Sequence, residues 1–228
     1  MRAIFYDTET TGLRAAKDRI IELAAYDPVN NKVFESFIYP EISIPPEQTA
    51  IHHISDAMVK DAPLFKEVAL QFNAFCEGDI VLIAHNNDSF DIEFMKAEYD
   101  RAGHEMPKWK TLDSLKWARR YRPDLPTHRL QALREHFGIT ANNAHRALDD
   151  VKVLAEVFGN LIDDLTIPEI YSLMNKPRLM QHMPFGKYQG KPLKELPKDY
   201  VVWLKGSGAF DKPGMNELKD SLVALNMF

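Results

Sequence analysis

The run Ile-Val-Leu-Ile-Ala at residues 80–84 constrains the fold more than any other stretch of the chain. Side chains on a strand alternate between two faces, so a wholly apolar run must be covered on both. Such a strand belongs inside a sheet with helices against each side. The flanking patterns supply the cover. Helical periodicity reads at 55–60 and 64–76, the second stopped by Gly78, and again at 88–101, 114–121, 129–137 closed by Gly138, and about 144–161. Strands read at 3–7, 19–26 and 32–38, with Asp-Pro and Asn-Asn turns between the last two, then a Pro-containing loop; a short strand fits 109–112. This predicts an α/β fold whose mixed sheet, three antiparallel strands plus parallel ones, is flanked by helices.

Thr166-Ile-Pro-Glu169 reads as a capping box opening another short helix, and composition changes after it. We therefore expect a main domain at 1–165 and a small basic α+β domain at 166–228, the latter with two Gly-bounded turns and a helix from Leu196 carrying Trp203 on its apolar face. From Lys176 onward there are nine Lys and Arg against five acids, whereas the first 175 residues hold 19 bases and 28 acids. An acidic body with a basic end suits a cation site in one part and phosphate contact in the other. No apolar run approaches the ~20 residues of a membrane span. The single Cys76 excludes an intramolecular disulfide, so a cytoplasmic setting is expected. The tail stretch FGKYQGK lacks the G-x-x-x-x-G-K-[ST] of a nucleotide-binding loop, but its Lys187 and Lys191, with Lys194 just beyond, offer phosphate-sized positive charge.

The opening MRAIFYDTETTG places Asp7 and Glu9 two residues apart on a strand, hence on one face. Two carboxylates converging on a partly buried point repel unless a cation or a shared proton compensates. An Asp-x-Glu triplet is common in a chain that is 27% charged, so other acids must join it to carry meaning. Two further stretches place acids beside core elements: IAHNNDSFDIEFM, where Asp91 opens a helix, and AHRALDD, with His145 and either Asp149 or Asp150. Helical azimuth alone brings Asp149, at i+4 from His145, closer than Asp150.

These ordered motifs resemble the DnaQ-like, or DEDDh, 3'-to-5' exonucleases: Asp-x-Glu on the first strand, Asn and Phe-Asp in the middle, His-x-x-x-x-Asp near the end. That resemblance spans roughly residues 1–160, and AIHHISDAMVKDAP with the tail KPRLMQHMPFGKYQGKPLKELPKDYVVWL extends it, over the whole chain, to the bacterial exonuclease X branch. It implies a ribonuclease-H-like fold and metal-dependent release of nucleoside 5'-monophosphates from DNA 3' ends, single-stranded and also duplex. By position, the metal-binding acids fall on Asp7, Glu9, Asp91 and Asp150, holding two Mg2+ or Mn2+ ions, and the general base on His145. Hard divalent cations prefer carboxylate oxygen, and an imidazole with an ordinary pKa of ~6.5 suits proton transfer near neutral pH.

The resemblance also implies substrate contacts for Thr8, Thr10, Leu13, His52 and Asn86, with Leu13 against the terminal base. The middle motif departs from the family's His-Asn-x-x-Phe-Asp by one extra residue, His85-Asn86-Asn87-Asp88-Ser89-Phe90-Asp91, which leaves the supporting role open between Asn86 and Asn87. The tail lysines Lys187, Lys191 and Lys194 are expected to help hold DNA near the active site, a protein-contact or purely stabilising module being the alternative. Glu22 reads as a structural acid and Asp113 as a helix cap. Two alternatives stay open: an exonuclease of short RNA, and a non-catalytic nucleic-acid-binding protein, whose expected trace would be a missing acid or His.

Overall fold

The computed structural model describes residues 1–140, 147–176, 179–211 and 215–228. The chain divides into two compact units, Met1–Tyr171 and Ser172–Phe228. The first contains β1 (Arg2–Thr10), β2 (Ile20–Asp27), β3 (Lys32–Phe37), α1 (Pro46–His52), α2 (Asp56–Val59), α3 (Phe65–Phe75), β4 (Ile80–Ala84), α4 (Asp91–Arg101), β5 (Lys110–Asp113), α5 (Ser114–Tyr121), α6 (Leu130–His136) and α7 (Ala147–Ile162). Next comes α8 (Ile167–Asn175), within which the two units part, past the expected 165/166 boundary. The second unit holds α9 (Lys198–Gly206) and α10 (Asn216–Ala224).

The five strands form one sheet in the order β3-β2-β1-β4-β5, with β1, β2 and β3 antiparallel and β1, β4 and β5 parallel. Every residue of β4 is buried, as a strand covered on both sides requires. On one face Ile4 and Tyr6 of β1 pack with Phe72 of α3 and Phe94 of α4. On the other, Phe5 meets Phe158 of α7 edge to face at 5.8 Å, and Trp117 of α5 packs on the same ring at 6.4 Å. Thus β1 is central in both directions, with a sheet neighbour on each side and a helical layer on each face.

Four expectations need correction. The Pro-containing stretch after β3 is not all loop, because Pro46 stands at the first position of α1, where a missing N–H costs nothing. β1 does not stop at Asp7 but runs on to Thr10, so both acids are strand residues. In the second unit, α9 buries Val201 and Leu204, whereas Trp203 is 59% exposed. The described residues of that unit form 3-10 turns and helices around Met183, Leu193, Leu196, Leu218 and Leu222, and the β part of the expected α+β domain amounts to a single bridge between His182 and Pro192.

Phe72 is fully buried and meets the rings of Tyr6, Phe34 and Trp109 at 6.4, 5.5 and 5.6 Å. Phe72→Ala opens a cavity under β1 and is expected to cost about 3–5 kcal/mol of unfolding free energy in urea titration. A loss below ~1 kcal/mol would mean this layer does not support β1.

Candidate active site

β1 stays paired with β2 to Thr10 but with β4 only to Phe5, so its last residues have one edge turned away from β4. The register against β2 shifts between Glu9 and Thr10, a bulge of the kind that re-aims side chains at the end of a pairing. Asp7 and Glu9 project toward the α7 face, as Phe5 does. There Asp150, in the first turn of α7, joins them: one carboxylate oxygen from each of Asp7, Glu9 and Asp150 lies within 4.8 Å of the other two. Asp149, also in that turn, is not part of this group.

Asp91 reaches the same strand end from the opposite face. It is the first residue of α4, and its Oδ1 accepts a hydrogen bond of 2.8 Å from the Thr8 hydroxyl. Thr8 points away from the Asp7 and Glu9 face, and by doing so it holds the fourth acid. The charge of Asp91 still reaches Asp7 strongly. After burial, Asp91 is the largest influence raising the Asp7 pKa well above the usual carboxylate value, followed by Glu9, Asp150 and Glu22. Burial pushes the Asp91 carboxyl up to about 7, against the opposing pull of hydrogen bonds from Thr8 and from its own helix N-terminus.

Supporting groups fix these acids. Gln131 of α6 donates from Nε2 to Asp150 Oδ1 at 3.2 Å and is itself held by Arg134 Nε at 2.9 Å. Glu22, buried and paired across the sheet with Glu9, accepts the Ala147 N–H at 3.2 Å, which ties β2 to the first residue of α7. Asp113 caps α5 by accepting from the Leu115 and Lys116 amides at 2.9 and 3.1 Å, and also accepts from the Asn86 and Asp88 amides at 3.2 Å each. That second pair accommodates the extra residue of the middle motif, with Asn86 in the left-handed region at φ 73°. Asn87 is the buried member of the pair; its Oδ1 accepts from the Tyr6 hydroxyl. Gln131 and the Tyr6–Asn87 link carry no local sequence signal, since a polar residue on a helix or a Tyr on a strand is ordinary.

The residues expected at the substrate are placed differently from one another. Leu13 is 77% exposed just beyond the acid strand, an apolar side chain offered to solvent. Thr8 and Thr10 are buried, and their hydroxyls are committed inside the protein, Thr8 to Asp91 and Thr10 to the Gly12 carbonyl at 2.6 Å. His52 is buried; its Nδ1 accepts the Ile54 amide at 3.0 Å, leaving the hydrogen on Nε2, and the Thr10 backbone lies close enough to favour the protonated ring. Burial and neighbouring His53 lower the His52 pKa. His145 lies outside the described residues.

The donor set suits a hard divalent cation: it is all carboxylate oxygen, Asp7, Glu9 and Asp150 converging and Asp91 standing at the same strand end, with the proton affinities of Asp7 and Asp91 raised by burial first and by neighbouring carboxylates second. Without such a cation, Asp7 and Asp91 hold protons to higher pH folded than unfolded. The folded state then binds more protons between the usual carboxylate value of 3.8 and about 7, and stability falls as pH rises through that window. In chelator, Asp7→Asn is therefore expected to raise the melting temperature at about pH 8, with the gain vanishing near pH 4. A variant less stable than the parent at the higher pH would contradict this electrostatic account.

Residues 4–158 match the sequence model of a family described as Exonuclease, and residues 176–225 match one described as "Putative quorum-sensing-regulated virulence factor". The chain is 40% identical over 162 residues to DNA polymerase III subunit epsilon of Treponema pallidum (strain Nichols), which takes in 69% of this chain and 74% of that protein. It is 38% identical over 165 residues to the PolC-type DNA polymerase III of Caldanaerobacter subterraneus subsp. tengcongensis, covering 71% of this chain but only 12% of that polymerase. Among solved structures, exonuclease X in complex with 5' overhanging duplex DNA superposes with a TM-score of 0.59 at 23% identity, over 76% of this chain and 99% of that one. This likeness establishes the ribonuclease-H-like fold: a mixed sheet flanked by helices.

Proposed function

The chain belongs to the exonuclease family, of the DnaQ-like kind, and on that premise we propose that it removes nucleotides from DNA 3' ends, releasing nucleoside 5'-monophosphates with the help of divalent cations. The observation that carries the reading is the meeting of Asp7, Glu9 and Asp150 oxygens within 4.8 Å, with Asp91 brought to the same strand end through Thr8. Asp7, Glu9, Asp91 and Asp150 would hold Mg2+ or Mn2+. Two such ions, when bound, supply positive charge that offsets the acids and stabilises charge building on the phosphodiester oxygens.

The remaining work falls to the chain's own residues. His145 takes the role of general base by its position in the motif: it accepts a proton from the attacking water as a new P–O bond forms and the bond to the 3' oxygen breaks. The departing oxygen gains a proton and leaves a shortened strand with a free 3' hydroxyl. Leu13, exposed beside the acids, packs against the terminal base, and the roles of His52 and Asn86 at the nucleotide rest on their places in the motifs. Thr8 acts by orienting Asp91, Thr10 by shaping the turn that carries Leu13. No helix among the described residues is long and apolar enough to cross a membrane, and we place the activity in the cytoplasm.

End-labelled DNA and RNA, single-stranded and duplex, incubated with Mg2+, Mn2+ or EDTA, test the reading. Stepwise loss of mononucleotides from DNA 3' ends, only with metal, is expected; no cleavage of any substrate would sink the enzymatic reading, and preference for RNA would move it to the short-RNA alternative. Asp150→Ala should abolish cleavage while Asp149→Ala leaves it, and the reverse pattern would overturn the ligand assignment. Thr8→Val, which removes only the hydroxyl that holds Asp91, should lower metal affinity about 10–100-fold. An unchanged metal titration would show that Asp91 needs no such support.

A further inference from the structure

The second unit exposes a tryptophan that its own core does not use, joined to two half-buried tyrosines that pack against that core. Its core is made by residues such as Leu193, Val201, Leu204 and Leu218, whereas Trp203 stands 59% exposed beside Val202 at 69%. Trp203 is not bare by disorder of packing: it stacks on Tyr200 of the same helix, centroids 5.6 Å apart and planes 19° from parallel. Tyr188 in turn packs edge-on against Tyr200 at 4.6 Å. Lys187 and Lys191 both set their ammonium groups over the Tyr188 ring, at 5.4 and 5.7 Å. A groove of about 640 Å³, lined by Gly186, Lys187, Tyr200 and Trp203 among others, runs along this array. Gly186 is required there, with φ at +73° and space for a Cβ only 3.1 Å from the Tyr200 hydroxyl.

An outward-facing indole in one array with a tyrosine that carries two ammonium groups over its ring is chemically matched to a flat π surface carrying negative charge beside it. Bases of a single strand provide the first and the phosphates between them the second; each base stacked on an aromatic side chain contributes without regard to its identity. The excess of nine Lys and Arg over five acids from Lys176 onward adds the long-range attraction. We propose that Trp203, Tyr200, Lys187 and Lys191 form a sequence-independent binding site for single-stranded nucleic acid in the second unit. The choice of nucleic acid over other anionic partners rests on the exonuclease reading of the first unit.

The test uses the full chain in EDTA, so that no strand is cut, with a labelled single-stranded oligothymidylate read by anisotropy and tryptophan fluorescence. Of the three tryptophans, Trp117 is buried and Trp109 partly so, which makes Trp203 the reporter a stacked base would quench. Quenching is expected in the parent and lost in Trp203→Phe, which should bind nearly as well. Trp203→Ala should bind about five- to a hundredfold more weakly. Lys187→Ala with Lys191→Ala should flatten the salt dependence, lowering the slope of log K against log salt by about 1.4. Unchanged circular dichroism checks folding of each variant. In a separate assay with Mg2+ or Mn2+ in place of EDTA, hydrolysis of a nitrophenyl ester of thymidine monophosphate, too short to reach a second site, reads the acid cluster alone; its absence in every variant would strike the exonuclease reading and leave the binding result to decide this one. Parent-like affinity in Trp203→Ala overturns the proposal, as does quenching by an acidic peptide but not by the oligonucleotide.

Discussion

The site depends on β1 outrunning its parallel neighbour. Because β1 is paired with β2 as far as Thr10 but with β4 only to Phe5, its last residues are rigid on one edge and open on the other. The rigid edge gives Asp7 and Glu9 a fixed common direction. On the reverse face, the Thr8 hydroxyl catches Asp91 at the start of α4. A strand of equal length on both sides would have sealed this notch with ladder hydrogen bonds. The chain end of a central parallel strand is where such sheets leave room for ligands, and here the notch is lined with acid.

Crowding four carboxylates beside β1 works against folding, and the surroundings orient the acids more than they relieve them. The Thr8 hydroxyl on Asp91 and the Gln131 amide on Asp150 are uncharged donors; they set direction without cancelling charge. Burial raises the proton affinities of Asp7 and Asp91, and for Asp7 the neighbouring carboxylates add to it. A site of this kind is built for something positive, and its stability cost is carried by the apolar layers on each side of the sheet, Phe72 and Phe94 on one, Phe158 and Trp117 on the other.

The second unit solves a different problem. A unit of its size has little core to make, yet it leaves its one tryptophan outside and lets Val201 and Leu204 fill the interior. Helical periodicity alone would put a large apolar side chain inward, and that expectation failed because Trp203 stacks on the half-buried Tyr200 instead of entering the core. The lysines over Tyr188 then flank a surface whose two chemistries, π face and cation, occur together in strand-binding proteins.

Much of this molecule is legible in local sequence. The apolar run at 80–84 is β4 residue for residue, Ser114–Tyr121 is α5, and the i, i+2 spacing of Asp7 and Glu9 sets their common face wherever β1 lies. Alternation, periodicity and capping act over a few residues, so a short window contains their cause. Local spacing could not decide whether Asp149 or Asp150 meets those acids, because that turns on how α7 is rotated against β1; azimuth alone pointed to the wrong neighbour for the geometric cluster, and it was the family resemblance that picked Asp150. It could not assign the Thr8 hydroxyl to Asp91 across 83 positions, nor Gln131 to Asp150. Those pairings exist only once the sheet brings distant segments together, so tertiary structure alone decided which acids converge and what holds them.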